Sequence, residues 1–566
     1  MVKFTRRSLF GLAGGVAGSA ASLSACQSLS TEAKAQPYRG GVDFSHGVAS
    51  GDPLQTRVIL WTHLSPSIGG QIDISWSVYA DKALTEKVVT GVITTGPERD
   101  YTAKVDATGL RPGQDYYYRF AVETPAGPVV SPIGRTRTLP EAGIESVRAA
   151  MVSCSNYPFG YFHAYQALAQ IEPALDVIIH LGDYLYEYGP DGYGGETGAA
   201  LARAHIPPRE ITNLADYRTR HAQYKSDPAL QAAHAAAPWI CTWDDHESAN
   251  DAYRTGAQNH DPSEGDWTER KQQAVQAYLE WMPVRDPKAG APRDALWRRF
   301  DFGDVISLIC LETRLTGRSE EISWSAELSD LAPEDMPGKA KSVMQRVQDP
   351  ARTMLGPAQE AWLAGELKDS VATGKSWQVL ANQVIMATVR PPNFAQTLSP
   401  EQIEAITSPF LKGLVGFSQM SLPMNLDAWD GFPTARERLY TAARTAGASL
   451  VTLTGDTHTG WANTLKDKQD NVRGVEFGCT SVTSPGFGVY LPGVEDLGEQ
   501  FADANDQVHW HDPLGNGFTL LEFSRNAVLT TYHKVSDVRA PDYTVRQVAQ
   551  FITTRTEGGK PQLEAV

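Results

Sequence analysis

Five short apolar runs in this 566-residue chain each end in side chains that could hold a metal ion. The clearest is Val177-Ile178-Ile179-His180-Leu181-Gly182-Asp183, followed three residues on by Tyr186. A run without polar alternation reads as a strand buried on both faces, and ligands bind outside the carboxyl ends of such strands. Cys154 ends a second run, Asp244-Asp245-His246 a third, Asn382-Gln383 a fourth and Asp456-Thr457-His458 a fifth. Asn250 follows His246 by four, one turn if a helix starts there. Hard oxygen donors suit Ca²⁺, Mg²⁺ or Mn²⁺. A thiolate, a phenolate and an imidazole around one carboxylate suit a redox-capable ion such as Fe³⁺. One carboxylate shared by two ions would hold them close enough to clamp the attacking and leaving oxygens of a phosphoryl group.

Each of these residues also has an ordinary reading. Taken alone, Asp183 is a helix cap, Cys154 a core thiol, Tyr186 a packed ring, and Asp456-Thr457-His458 a loop with a capping Asp. Gln383 reads as a hydrogen bonder in the site wall or, with Asn382, as a solvated strand end. Arg314 closes the strand Val305–Leu311. Its planar fork could steady a substrate phosphate, and a surface salt bridge explains it nearly as well. Five strand ends carrying such groups on one sheet decide for the metal.

The elements that must position these groups follow two grammars. From about Tyr38 to Arg137 the chain is all short strands between Gly/Pro turns, and Leu110-Arg111-Pro112-Gly113-Gln114-Asp115-Tyr116 resembles the tyrosine corner of fibronectin-III sandwiches. This predicts a β-sandwich over residues 37–142 with no chemistry of its own; His46 and Asp52 in its first segment are explained as turn residues. Over residues 143–540 strands alternate with helical periods, which predicts an α/β (α+β type) catalytic domain with β-sheets flanked by helices. Polar inserts at Asp191–Asn213, Glu320–Pro357 and Pro391–Pro433 are expected to rim the site. Residues 541–566 form a tail in which a helix, Thr544–Thr553, could lie over the site and restrict access.

Composition is ordinary for a globular protein, 42% hydrophobic and 20% charged. The formal charge of −16 sets 50 Lys and Arg against 66 Asp and Glu, and such a surface repels nucleic acid and anionic membranes. An anionic substrate must then be attracted by something other than net charge, as bound cations would do. Residues 1–36 read as a twin-arginine leader, Thr5-Arg6-Arg7-Ser8-Leu9-Phe10 before a Gly/Ala-rich stretch, so the Tat export machinery is an expected partner and the periplasm or cell envelope the expected location. Cleavage before Cys26, leaving a lipid anchor there, and cleavage after Ala35 are both open. Cys154, Cys241, Cys310 and Cys479 show no CxxC spacing; three buried thiols beside Cys154, rather than a disulfide, is the expectation.

The set Ser153-Cys154-Ser155-Asn156, Leu181-Gly182-Asp183-Tyr184-Leu185-Tyr186, Trp243-Asp244-Asp245-His246-Glu247 with Asn250, Gly455-Asp456-Thr457-His458 and Ser481-Val482-Thr483-Ser484 resembles the PhoD-like alkaline phosphatase/phosphodiesterase family. That family is a distant relative of purple acid phosphatases among the metallophosphoesterases. The resemblance implies a metallophosphoesterase domain behind a fibronectin-III-like sandwich. It implies Fe³⁺ held by Cys154, Asp183, Tyr186 and His458, the phenolate giving a visible charge-transfer band. It further implies one or two Ca²⁺ reached through Asp183, Asn250 and Asp456, with one or more of Asp244, Asp245 and His246 completing or supporting the cluster; Asp244 is taken as the ligand among them. One member of that triplet could instead protonate the leaving alkoxide, a task His246 suits by its accessible pKa, so Asp245 and His246 are the catalytic candidates, with Arg314 added for its phosphate-binding fork. The implied reaction is hydrolysis of phosphomonoesters, phosphodiesters or both by a metal-bound hydroxide; the alternative is a phospholipase D-like lipid phosphodiesterase on the same core. A phosphate ester is the expected substrate, and nucleic acid enters only as a possible one. No Gly-x-Ser-x-Gly elbow is present, which argues against an α/β-hydrolase.

Overall fold

Both faces of the strand Val177–His180 are buried, and its residues alternate between two cores. Val177 and Ile179 pack on one side with Ala149 and Met151 of the parallel neighbour Ser146–Val152; Ile178, Ala150 and Val152 pack on the other. The same alternation recurs in a second sheet. Ile306, Leu308 and Val379 enter the core shared with the first sheet, whereas Ile309 and Leu380 face away from it. Two sheets thus pack face to face and each carries helices on its outer side, which is why their strands read as unbroken apolar runs. Each fully buried Val, Leu or Ile contributes roughly 1.5–3 kcal/mol.

The first sheet has ten strands, and at its centre Ser146–Val152, Val177–His180 and Trp239–Cys241 run parallel. The second has seven, with Ile306–Cys310, Trp377–Ala381 and Leu450–Thr454 parallel. Helices Leu214–Lys225, Pro228–Ala236 and Trp267–Trp281 cover the first sheet, starting at Asn213, Asp227 and Asp266, whose side chains accept first-turn N–H groups. Helices Gly356–Ala372 and Pro433–Ala446 cover the second through Leu363, Leu367, Leu439 and Ala443. This computed structural model describes residues 35–566 apart from 330, 333, 407, 408, 492 and 557. The twin-arginine stretch and Cys26 lie outside the described residues.

Three expectations change. A sandwich does form around a core that includes Leu60, Ile74, Val105 and Phe120, but it is not self-contained. One of its layers, Val48–Gly51, Arg57–His63 and Thr102–Thr108, continues the ten-stranded sheet, with Gly51 paired to Trp239. A Cβ at Gly51 would lie 2.6 Å from the Trp239 carbonyl oxygen, so only glycine lets the two segments join. The predicted helix Thr544–Thr553 is instead a strand, Val545–Arg555, antiparallel to Ala527–Val535. Its β-branched Val545, Val548, Ile552 and Thr553 favour the sheet edge that Ala527–Val535 offers, so tertiary pairing overrides the local period. No helix starts at His246 either; residues 245–248 form a turn in which Asp245 C=O accepts the Ser248 N–H. The four described cysteines, Cys154, Cys241, Cys310 and Cys479, are buried free thiols, as expected.

Asp52, read from sequence as a turn residue, is fully buried and accepts from Arg298 Nε at 2.9 Å and Nη2 at 2.8 Å, and from the Arg285 N–H at 2.7 Å. Arg298→Met leaves that carboxylate unpaired and is expected to cost about 3–5 kcal/mol in urea unfolding, with Asp52→Asn in the same chain recovering part of the loss.

Candidate metal centre

The carboxyl ends of parallel strands from both sheets meet at one place. Cys154 follows Ser146–Val152, Asp183 follows Val177–His180, and Asp244 to His246 follow Trp239–Cys241; Asp456 to His458 arrive from Leu450–Thr454 across the sheet interface. Two glycines permit the approach. A Cβ at Gly182 would collide with Asp244 Cβ, and one at Gly455 would lie 2.7 Å from Ser153 Cβ and Oγ. Each Gly-Asp pair therefore marks a crossing of two loops. Cys154, Asp183, Asp456 and His458 all have left-handed backbones, with φ of 58°, 55°, 64° and 60°. For residues with a Cβ this costs of order 1–3 kcal/mol each and persists only where surroundings enforce it.

Three groups of ligand atoms, each mutually within 4.8 Å, result: Cys154 with Asp183 and His458; Asp183 with Asp245 and His246; Asp244 with Asp245 and Asp456. Asp183 belongs to the first two. Tyr186 is tied to the first group, donating to Asp183 Oδ2 at 3.0 Å and lying 3.2 Å from His458 Nε2, while Ser484 Oγ donates to its hydroxyl at 2.8 Å. Asn250 donates its amide N–H to Gln258 Oε1, so its carbonyl oxygen is what it can offer a cation.

The electrostatics call for cations. Asp183 Oδ1 and Asp244 Oδ2 are buried carboxylate oxygens with no hydrogen-bond partner. Burial, opposed by His246 and reinforced by Asp245 and Asp244, raises Asp183 well above the carboxylate range; burial and then Asp244 do the same to Asp456. Burial and then Asp183 push the Cys154 thiol and the Tyr186 phenol far up, so it would take a cation to make them anionic ligands. Burial lowers His458 to about 4, leaving a neutral imidazole suited to ligation. Burial also opposes charge on His246, but Asp245, Glu187 and Asp183 outweigh it and hold that imidazole protonated well above 6.5. Unpaired carboxylate oxygens beside thiol, phenol and neutral imidazole fit multivalent cations.

Of the seven predicted ligands, Cys154, Asp183, Asp244, Asp456 and His458 fall in these groups and Tyr186 is bonded to Asp183, whereas the Asn250 side chain is bonded to Gln258 and belongs to none of them. Arg314 does not have the predicted role: it is fully buried and its fork is occupied by protein carboxylates. Nε donates to Asp244 Oδ1 at 2.5 Å, Nη1 to Asp427 at 2.7 and 2.9 Å, and Nη2 to Asp456 at 3.3 Å. It offsets carboxylate charge, and all three of its nitrogens face protein carboxylates. Asn382 and Gln383 are buried, not solvated; Asn382 Oδ1 accepts from Trp429 Nε1, and Gln383 joins Thr242, Leu311 and Thr313. His46 meets His63 at 2.9 Å between their Nδ1 atoms, both rings packing against Trp281, and is in none of these groups.

Sequence reasoning missed a second set. Glu187 and Glu247 are buried; Glu247 accepts backbone N–H bonds from Asp183, Tyr184 and Asp244 at 2.7–3.1 Å and so staples two ligand loops. Asp251, Glu321 and Asp427 form a fourth carboxylate group. Glu321 and Asp427 come from the second and third polar inserts, and Tyr193 of the first stacks beside His458, so all three inserts reach the site. Glu247, adjacent to His246, was findable from position; Glu321 and Asp427 carry no local signal.

A sequence profile of the PhoD-like phosphatase family matches residues 149–532, and one of that family's N-terminal domain matches residues 30–140. Alkaline phosphatase D of Bacillus subtilis (strain 168) is 36% identical over 505 residues, covering 86% of this chain and 77% of that protein. A solved structure of PhoD aligns with a TM-score of 0.74 at 31% identity over 92% of both chains.

Because Asp183 is common to two groups, Asp183→Ala is expected to lower metal content at both, whereas His458→Ala should deplete only the ion beside Cys154. Elemental analysis of the purified variants reads the difference; equal losses in the two would show that Asp183 is not shared.

Proposed function

The chain belongs to the PhoD-like phosphatase family and is a metal-dependent hydrolase acting on phosphoric ester bonds, and from that premise we propose an exported Fe³⁺/Ca²⁺ enzyme that cleaves phosphodiesters and phosphomonoesters by a single in-line displacement. The observation that carries this reading is the shared Asp183, with a thiol, a phenol and an imidazole on one side and carboxylates on the other. Cys154, Tyr186 and His458 with Asp183 would hold Fe³⁺. The oxygens of Asp183, Asp244, Asp245, Asp456 and Asn250 would hold Ca²⁺, and Asp251, Glu321 and Asp427 offer an oxygen-only set for a second. Bound there, the cations would neutralise the phosphoryl oxygens and make water nucleophilic at neutral pH.

The chain supplies the rest. His246, held protonated by its carboxylate neighbours, gives a proton to the departing alkoxide. Asp245 stays ionised despite burial, through Arg314 and His246, and backs that imidazolium; its Oδ2 also accepts the Asp251 N–H at 2.7 Å, which sets the turn carrying Asn250. Arg314 keeps Asp244, Asp427 and Asp456 in place. Export is supported by the twin-arginine leader, whose end would place the protein in the periplasm or, through a lipidated Cys26, on the envelope. The bond from Arg111 N–H to Tyr116 Oη at 2.8 Å supports a fibronectin-III-like sandwich.

One observation favours the lipid-directed alternative. Val489 and Tyr490, on the turn that follows the Pro485 carbonyl near His458 Nδ1, and Leu514 beside that turn, are large apolar side chains more than 40% exposed. Transphosphatidylation of a phospholipid in the presence of ethanol would decide for it. For the main reading, a chiral thiophosphate diester is expected to be hydrolysed with inversion at phosphorus; retention would require a covalent enzyme intermediate and end the single-displacement proposal.

A further inference from the structure

Asn156 lies two residues beyond Cys154, is fully buried, and has no hydrogen-bond partner at either Oδ1 or Nδ2 of its side chain. The fold treats its other buried asparagines differently. Among the described residues, Asn382 Oδ1 accepts from Trp429 Nε1 at 3.1 Å, and Asn463 Nδ2 donates to Glu476 at 2.9 Å. Asn505 uses both ends on the Arg390 backbone, each at 2.8 Å. Nor does Asn156 serve as a cap. It precedes the 3₁₀ turn Tyr157–Phe159, a position where asparagine ordinarily accepts a first-turn N–H, yet its side chain accepts none. The Tyr157 N–H goes to Tyr224 Oη at 3.0 Å instead. A buried amide with neither end satisfied destabilises the chain and calls for a partner the chain does not supply.

Three contacts bracket Asn156 at the metal centre. Before it, Cys154 shares a ligand group with Asp183 and His458. After it, Phe159 meets Tyr193 edge-on, centroids 4.8 Å apart, and Tyr193 stacks beside His458. Its own carbonyl accepts from Thr483 Oγ1 at 2.8 Å, and the next residue, Ser484, donates to the Tyr186 hydroxyl. The centre is rich in acceptors and its guanidinium, Arg314, faces carboxylates. A phosphoryl group drawn in by cations needs N–H donors there, and a neutral amide offers two without adding charge.

We propose that Asn156 is a substrate-binding residue: Nδ2 donates to a phosphoryl oxygen of the ester held at the centre. This rests on the reading of the centre as a phosphoesterase site and adds a residue to it. Cation loading is expected to survive replacement of Asn156, because the ligand groups form without it. A leucine keeps the branching of the side chain and offers neither donor nor acceptor. An aspartate keeps the shape but lacks the N–H and brings a negative charge against the phosphate.

The test uses the full-length, metal-loaded enzyme with inorganic phosphate as the probe, titrated by calorimetry. Asn156→Leu is expected to weaken phosphate binding about tenfold or more, as loss of a hydrogen bond to a charged partner does, with metal content per chain unchanged. The thermal midpoint of metal-free Asn156→Leu is expected to equal or exceed that of the wild type, since no protein hydrogen bond of the side chain is lost. Phosphate affinity within about threefold of the wild type would overturn the proposal, and a lowered midpoint beside it would make Asn156 a packing residue. Loss of metal in step with affinity would also overturn it, because the amide would then serve the cations. If Asn156→Leu does not fold, Asn156→Asp decides by the same affinity and metal readings. A wild type that holds metal but binds no phosphate would sink the phosphoesterase reading too, whereas unchanged affinity in the variants with ester turnover intact would sink only the role of Asn156.

Discussion

The Asp183 carboxylate has one oxygen held by the Tyr186 hydroxyl and the other without any partner, in a site where more carboxylates than cations are buried. Asp183, Asp244, Asp245 and Asp456 cluster around one guanidinium and one imidazole. Two carboxylates about 4 Å apart at an effective dielectric near 20 repel by about 4 kcal/mol. The chain itself does not relieve this: Arg314 divides its charge among Asp244, Asp427 and Asp456. A site built with that deficit is completed by cations, and the left-handed backbones at four of its ligands are strain consistent with that use.

The two-sheet core makes such a site affordable. Alternating side chains lock each central strand between a helix layer and the opposite sheet, so strand ends can be aimed at one another across the interface. Gly182 and Gly455 then allow loops from different strands to touch, and Glu247 ties the Asp183 and Asp244 loops through three backbone N–H groups. The N-terminal sandwich belongs to the same scaffold, since one of its layers continues the sheet that carries Cys154, Asp183 and Asp244.

The centre divides its labour by donor type. The thiol, the phenol and a neutral imidazole gather with Asp183 in one group, and Asp183 meets Asp245 and His246 in another. Behind the carboxylates a layer of charge pairs, Arg314 with Asp427 and Glu187 with His246, sets which atoms remain free to act. The polar inserts bring Tyr193, Glu321 and Asp427 to the rim, the region where relatives with one core can differ in what they accept.

The residues at the strand ends were legible because they sit next to the signal that announces them. An unbroken apolar run predicts a doubly buried strand, and the Gly-Asp that closes it predicts a loop crossing, so Cys154, Asp183, Asp244 to His246 and Asp456 to His458 could be named from local order alone. The tail could not: Val545–Arg555 has a period compatible with a helix, and only the free edge of Ala527–Val535 made it a strand. Nor could the task of Arg314, because three of its acidic partners lie 70 to 142 residues away in sequence. The amino-acid order determined which strand ends carry candidate ligands. Tertiary packing alone decided which carboxylates cluster, which are already answered by arginine, and that Glu187, Glu321 and Asp427 lie with them, because charge compensation depends on distance through space and leaves no mark on spacing along the chain.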